Sequence, residues 1–297
     1  MRRLVKLMGG VLALAVVLVG CQQVRLSQSP ALGPVPDAAL RVASYNVHYI
    51  IASRQEGAWG LADWDARKGP LARAVAALDA DIIAFQEMES FRGGNNDDDN
   101  LARAWLLEQV PGYAAAAIGD WRDFPSTQPI FYRPEKLELR DQGWFMFSET
   151  PDVAYARTFD GSWSAFASWA EFEGEGGVFR VVNLHTDYRS GSNRRKSIAL
   201  VAERVAGWDV PVIVAGDFNA RAGSSLLGQM EAVGVRFAEV PGATYHFNRG
   251  INLFGAIDHI GVTKGLRLAS EAVVLREMFG DVWPTDHYPV VVDVGWE

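Results

Sequence analysis

The stretch Val212-Ile213-Val214-Ala215-Gly216-Asp217-Phe218-Asn219-Ala220 decides how the rest of the chain is read. Pro211 opens a run rich in β-branched residues, and Gly216 closes it, which is the pattern of a short strand. An acid and an amide follow at once, at Asp217 and Asn219. The same arrangement recurs outward in both directions. Leu40–Val47 is a strand with Asn46 near its end, and Asp81–Gln86 is a strand followed by Glu87. Pro129–Tyr132 is another, and Val178–His185 ends on an imidazole. Ile257–Val262 carries Asp258, and Asp286-His287 immediately precede Pro289–Val294. Between these runs lie helical spacings. Leu71, Val75 and Leu78 share one face with Pro70 near the start, Asp99 or Asn100 caps a helix through Leu106, and Ile198, Val201, Ala202 and Val205 line a third. With no internal repeat and no second linker, residues 40–297 read as one α/β domain.

Taken singly, a strand-end Asp or Asn is ordinarily a turn residue. Several strand ends sharing acid, amide and imidazole chemistry are a different matter, because a sheet can aim them all at one crevice. Composition narrows the field further. The chain has 297 residues, 49% hydrophobic and 22% charged, as expected of a globular protein rather than a disordered one. Acids exceed bases, 36 to 28, for a formal charge of -8, which speaks against a protein that coats nucleic acid through bulk charge. A single cysteine excludes a disulfide framework and a cysteine-based zinc site. No Walker A loop, HExxH helix or GxSxG elbow occurs.

The N-terminus reads as an address. Arg2, Arg3 and Lys6 precede an apolar run from Leu7 to Gly20, shorter than the ~20 residues a bilayer span needs. The run ends Leu18-Val19-Gly20-Cys21 and resembles a bacterial lipoprotein lipobox. That resemblance implies a signal peptide over residues 1–20, lipid attached to Cys21, and export to a membrane surface, with Gln22 fitting an outer-membrane or periplasmic destination. Loss of the signal also removes three bases and no acids, leaving a more acidic chain. Residues 22–39, with Pro30, Gly33, Pro34 and Pro36, read as a tether reaching at most about 60 Å.

Five segments, in order, carry a wider resemblance: Val42-Ala43-Ser44-Tyr45-Asn46-Val47, Asp81-Ile82-Ile83-Ala84-Phe85-Gln86-Glu87, Val182-Asn183-Leu184-His185, Gly216-Asp217-Phe218-Asn219-Ala220 and Thr285-Asp286-His287-Tyr288-Pro289-Val290. With Ile257-Asp258-His259-Ile260 between the last two, they resemble the endonuclease/exonuclease/phosphatase family, which includes deoxyribonuclease I-like nucleases, sphingomyelinases and inositol-polyphosphate phosphatases. The resemblance implies a four-layer α/β sandwich, two packed mixed β-sheets flanked by helices. It also implies hydrolysis of a phosphoester with a divalent cation: Mg²⁺ first, Mn²⁺ or Ca²⁺ as alternatives. Hard cations prefer such carboxylate oxygens. By that resemblance Asn46 and Glu87 hold the metal, with Asp286 a further ligand. His287 is the general base or a phosphate ligand, and Asp217 and Asn219 orient water and hold a phosphate oxygen. His185 contacts the phosphate or the leaving group. Asp258 pairs with either His185 or His287, since relatives differ.

Tyr132-Arg133-Pro134 resembles an element of the nuclease branch and makes Arg133 a substrate contact, against the alternative of a solvated strand-end arginine. Together with Asp286-His287-Tyr288-Pro289-Val290 it leans the expectation toward a nuclease-like phosphodiesterase, and so toward nucleic acid as substrate. The acidic charge leans the other way, to a phosphomonoester or a phospholipid headgroup. A surface binding module without chemistry is the remote alternative. His48 stands where some relatives carry an acid; it and His259 read as structural. Arg189, Arg194, Arg195 and Lys196 either steer an anion or simply charge a helix start. The run Asn95–Asn100 reads as a capped, solvated loop, and Trp144-Phe145-Met146-Phe147 as a core strand rather than a membrane-touching tip. Nothing asks for a second copy, so a monomer is expected.

Overall fold

Neighbouring side chains on the central strands point to opposite faces, and both faces are buried. Val42, Ile82 and Ala84 join a core between two sheets, whereas Ala43, Tyr45, Ile83 and Phe85 pack against helices. The computed structural model describes residues 2–91 and 100–297. In chain order the elements are α1 (Arg2–Leu26), β1 (Ala39–Asn46), β2 (Ile50–Ile51), α2 (Leu61–Leu78), β3 (Ile82–Gln86), β4 (Ser90–Phe91), α3 (Leu101–Gln109), β5 (Ala114–Ala116), β6 (Ile130–Tyr132) and β7 (Glu138–Met146). They continue with β8 (Phe166–Gly174), β9 (Gly177–His185), α4 (Gly191–Ala206), β10 (Val212–Asp217), α5 (Ser225–Glu231), β11 (Arg236–Phe237), β12 (Asp258–Val262), β13 (Leu266–Leu268), β14 (Val273–Val274) and β15 (Val290–Trp296).

One sheet runs β13-β15-β1-β3-β6-β5, with β14 also on β15; the other runs β11-β12-β10-β9-β8-β7. Both are mixed: β1 is parallel to β3 and antiparallel to β15, and β10 is parallel to β9 and antiparallel to β12. Helices α2 and α3 cover the outer face of the first sheet, and α4 and α5 that of the second. The expected four-layer sandwich is therefore the observed one. Trp144–Phe147 falls on and just after β7, with Phe145, Met146 and Phe147 buried, as a core strand should be.

Two expectations need correction. Helix α2 begins at Leu61, so Pro70 lies inside it rather than near its start. A proline there removes only one helical hydrogen bond, and Pro70 sits on the same buried face as Arg67, Leu71 and Ala74, where tertiary packing outweighs the local cost. Nor do the described residues of the tether hang free. Helix α1 continues past Cys21 to Leu26, and the following segment lies on the body. Gln23 Nε2 donates to the Gly250 carbonyl at 2.6 Å, Asn252 N donates to Gln23 Oε1 at 2.7 Å, and Ser29 Oγ accepts from Arg276 N at 3.0 Å. Leu32 packs against the α2 side of the first sheet. Glutamine and serine side chains matched to loop backbone groups hold this stretch where composition alone suggested a spacer. Among the described residues no helix is long and apolar enough to cross a membrane.

Asn100 Oδ1 accepts from Arg103 N at 3.0 Å and so caps α3. The competing cap Asp99, with most of the Asn95–Asn100 run, lies outside the described residues.

Candidate active site

Sheet register brings the polar strand ends together. Asn46 stands opposite Gln86 on parallel β1 and β3, which puts Glu87 at the mouth of that pair. On the second sheet Asp217 stands opposite both His185 and Asp258. His287 enters just before β15 and bridges Tyr245 through the backbone. The chain turns sharply where it leaves the strands: His48, Glu87 and Asn219 all take left-handed backbone conformations, with φ of 55°, 54° and 45°. Such conformations are costly for residues with a Cβ and gather where side chains must be aimed.

The distances close into one cluster. Asn46 Nδ2 donates to Glu87 Oε1 at 3.0 Å and to Asp217 Oδ2 at 3.2 Å, joining the two sheets. His185 Nε2 lies 3.6 Å from Asp217 Oδ2 and 3.8 Å from Glu87 Oε1. His287 Nδ1 is 2.9 Å from Asp258 Oδ2, and its Nε2 is 3.7 Å from Asp217 Oδ2. Asp258 thus pairs with His287 rather than His185. Asp217 Oδ1 accepts from Asn219 N at 2.8 Å, while Asn219 Nδ2 donates to the Thr186 carbonyl at 2.8 Å. Thr285 Oγ1 donates to the Asn46 carbonyl at 3.0 Å, tying the loop that bears Asp286 to the end of β1. Eight of the expected residues, Asn46, Glu87, His185, Asp217, Asn219, Asp258, Asp286 and His287, belong to this end of the sandwich.

Arg133 does not. Its backbone N–H donates to the Asp81 carbonyl, at the start of β3 rather than its end, and its guanidinium pairs with Asp79 at 2.8 Å and stacks near Tyr113. The strand-end arginine is a structural residue on the far side of the sheet, because β6 runs antiparallel to β3 and so delivers its C-terminal neighbour away from the site.

Charge is concentrated here. Burial alone pushes the Glu87 carboxyl up, but His48, His185 and the Asn46 amide outweigh it and hold it below its ordinary value. Asp217 goes the other way, to about 6, through burial and the charge of Asp258. Burial opposes protonation of His287, yet the charge and hydrogen bond of Asp258 carry its pKa to about 10. Asp217, Asp258 and His287 are a buried group whose ligand atoms lie within 4.8 Å of one another and are of the kind that holds a metal. Because Asp258 Oδ2 is already taken by His287 Nδ1, the better fit for a cation is Glu87. Its Oε2 is buried with no hydrogen-bond partner, an anionic atom that a divalent ion would satisfy. His48 remains structural, stacked on Trp59 with ring centroids 3.3 Å apart, although its Nδ1 is 4.0 Å from Glu87 Oε2. His259 donates through Nε2–H to the Ala220 carbonyl at 2.8 Å and packs on Phe218 and Phe237, as a core histidine does.

Sequence reading missed Arg67. It is almost fully buried on α2, and its guanidinium reaches the carbonyls of Val47 (2.9 Å), Tyr49 (3.2 Å) and Pro284 (3.2 Å). One side chain therefore clamps the loops that carry Asn46 and Asp286-His287. The signal was available: an arginine on the apolar face shared with Leu71, Ala74 and Leu78. Missed as well was a network under the site, where Gln86 Nε2 donates to Asn183 Oδ1 at 2.8 Å and Asn183 Nδ2 to the Phe85 carbonyl at 2.7 Å. Of the basic run after His185, Arg194 donates to the Asp187 carbonyl at 2.7 Å and Lys196 pairs with Glu149 at 2.9 Å, so both serve the start of α4.

No curated protein matches the chain. Among solved structures, an endonuclease/exonuclease/phosphatase family protein from Bacteroides thetaiotaomicron is 26% identical, with 86% of this chain and 97% of that one covered and a TM-score of 0.70. A mannosyl-6-phosphatase of Bacteroides thetaiotaomicron is also 26% identical, over 86% of this chain and 99% of that one, with a TM-score of 0.69. A family protein from Bacteroides vulgatus, 24% identical over 87% of this chain and 99% of that one, shares the fold with a TM-score of 0.70. A model of the Endonuclease/Exonuclease/phosphatase family matches residues 43–287, and the chain belongs to that family of phosphoester-hydrolysing enzymes.

Proposed function

We propose that the chain is a divalent-metal-dependent phosphomonoesterase whose substrate is a small, hydroxyl-rich phosphate ester such as a sugar phosphate. The observation that carries the catalytic part is the line Asp258–His287–Asp217 beside a Glu87 oxygen with no partner. Bound by Glu87 and supported by Asn46 and Asp286, a hard cation such as Mg²⁺ would draw charge from a phosphoryl oxygen. The chain's own groups do the rest. His287, kept protonated by Asp258, offers its Nε2–H to a second phosphoryl oxygen, which is the phosphate-ligand option of the two open in the sequence. Asp217, anionic above about pH 6, takes the proton of the attacking water, and Asn219 beside it helps to orient that water. Water oxygen bonds to phosphorus, the ester P–O bond breaks, and the alcohol leaves with a proton supplied from the His185 side.

Three observations support the monoester: the acid-rich charge of -8, the position of Arg133 far from the site, and the similarity to a mannosyl-6-phosphatase. The second reading is the nuclease-like phosphodiesterase; the placement of Asp286 and His287 from the nuclease-leaning segment favours it. Phosphate release from mannose 6-phosphate and other sugar phosphates, measured beside plasmid DNA, RNA and sphingomyelin, separates the two. Turnover of sugar phosphates alone supports the first reading, and turnover of polynucleotide alone overturns it. We also infer that the chain is an exported lipoprotein anchored through Cys21, on the strength of the Leu18–Cys21 segment; the mass of the mature N-terminal peptide tests this.

A further inference from the structure

We propose that the loop from Tyr245 to Phe254 is a bilayer contact, seating the active-site mouth at the surface of the membrane that holds Cys21. The inference rests on the lipid-anchor reading above. Three large apolar side chains on this loop face solvent: Phe247 is 41% exposed, Leu253 38% and Phe254 46%. They are neighbours rather than scattered residues, since the Phe247 and Phe254 rings meet edge to face at 5.6 Å. Phe247 and Asn248 both adopt left-handed conformations (φ 59° and 55°), so the turn that holds the first aromatic outward is a tight one.

The loop is bound at both ends to features that give it a role. On one side Tyr245 packs on Phe247 at 4.4 Å and on the His287 ring at 5.0 Å, so the apolar tip borders the catalytic imidazole. On the other side the loop backbone is hydrogen-bonded to the N-terminal segment through Gln23, at Gly250 and at Asn252, and Asn252 Nδ2 donates to Ser27 Oγ at 3.0 Å. Gln23 follows Cys21 by two residues on the same helix, a rise of about 3 Å. A lipid on Cys21 therefore holds the loop close to the surface of the bilayer it enters. The occupant that this position selects is the bilayer itself, because interfacial aromatic and leucine side chains bury in the headgroup boundary to a depth of about 5–10 Å. The active site then works at the lipid surface, not at the end of a long tether.

The single native cysteine, once acylated, leaves the chain free of other thiols, which makes a clean test. The full chain is produced in cells that process lipoproteins, as Phe254→Cys and, separately, Glu175→Cys. Glu175 lies at the opposite end of β9 from His185, about 30 Å away along a nine-residue strand. Each variant is labelled with a polarity-sensitive fluorophore and reconstituted into phosphatidylethanolamine/phosphatidylglycerol vesicles carrying a nitroxide lipid. The expected result is blue-shifted emission and loss of most of the fluorescence at position 254, with neither change at 175. Equal quenching at both positions, or none at either in a chain whose Cys21 is shown by mass to be acylated, overturns the proposal alone. Blue-shifted emission at 254 without lipid quenching means a protein covers the loop and overturns it too. An unacylated N-terminus overturns the anchor reading and this proposal together.

Discussion

The two ends of the paired sheets treat charge in opposite ways. At the end where β1 begins, acids meet bases: Arg41 with Asp293 at 2.9 Å, Lys136 with Asp81 at 2.7 Å, and Arg133 with Asp79 at 2.8 Å. At the other end Glu87, Asp217, Asp258 and Asp286 crowd around two histidines, and Glu87 Oε2 and Asp258 Oδ1 are buried without partners. A fold optimised only for stability would pair the second set as it pairs the first, because like charges in low dielectric are costly. The difference teaches where this protein keeps affinity for something else. Substitutions at the far end should lower stability and leave turnover intact, whereas those at the site should do the reverse.

The largest effect is expected from Asp258→Asn. Removing the charge that orients and protonates His287 should cut kcat about 10³-fold, as at other carboxylate–histidine pairs, while the melting temperature holds or rises. Steady-state kinetics with a parallel thermal melt reads both; a large fall in melting temperature would erase the contrast. Arg67→Met sits between the two classes, since its clamp is both buried and close to the site. It should lose about 3 kcal/mol of stability and a further ~10²-fold in kcat per folded molecule, through displaced loops. At the far end, Arg41→Ala leaves Asp293 buried and unpaired and should cost about 3 kcal/mol in urea unfolding with kcat unchanged.

A pH effect comes next. Burial lowers the pKa of His246, stacked between Trp283 and Tyr288, from near 6.5 to about 3. Its folded pKa lies below its unfolded one, so its contribution is complete above pH 6.5 and is lost as pH falls toward 3. Between pH 7 and pH 4 the chain should lose about 2–3 kcal/mol on this account, and His246→Phe should flatten that slope. Arg133→Ala is expected to do least: its pair with the largely exposed Asp79 is worth under about 1 kcal/mol, and kcat/KM should not move. A loss of substrate affinity in that variant would restore the arginine to the site.

Much of this contrast was legible before the structure. The alternation of apolar runs with helical spacings made an α/β domain legible, while the sandwich and the eight candidate residues that sheet register brings together came from the ordered motifs and the family they resemble. What escaped has physical reasons. Arg133 directly follows a strand whose direction composition does not reveal, and antiparallel pairing sent it away. Arg67 went unread because its place on the apolar face of α2 does not reveal its partners, which include a carbonyl 217 residues away at Pro284. The partner of Asp258 depended on a loop between β14 and β15 whose path the sequence does not fix, and the docking of Gln23 on a loop more than two hundred residues distant is invisible to any local pattern.

The central claim is that these residues form one metal-requiring centre that cleaves phosphoesters. Release of inorganic phosphate from a sugar phosphate is therefore followed in the full chain before chelation, after it, and after Mg²⁺ is restored, beside His287→Ala. Activity should vanish on chelation, return with the cation, and be absent from the variant throughout. Hydrolysis that ignores the chelator, or that persists without His287, would contradict it.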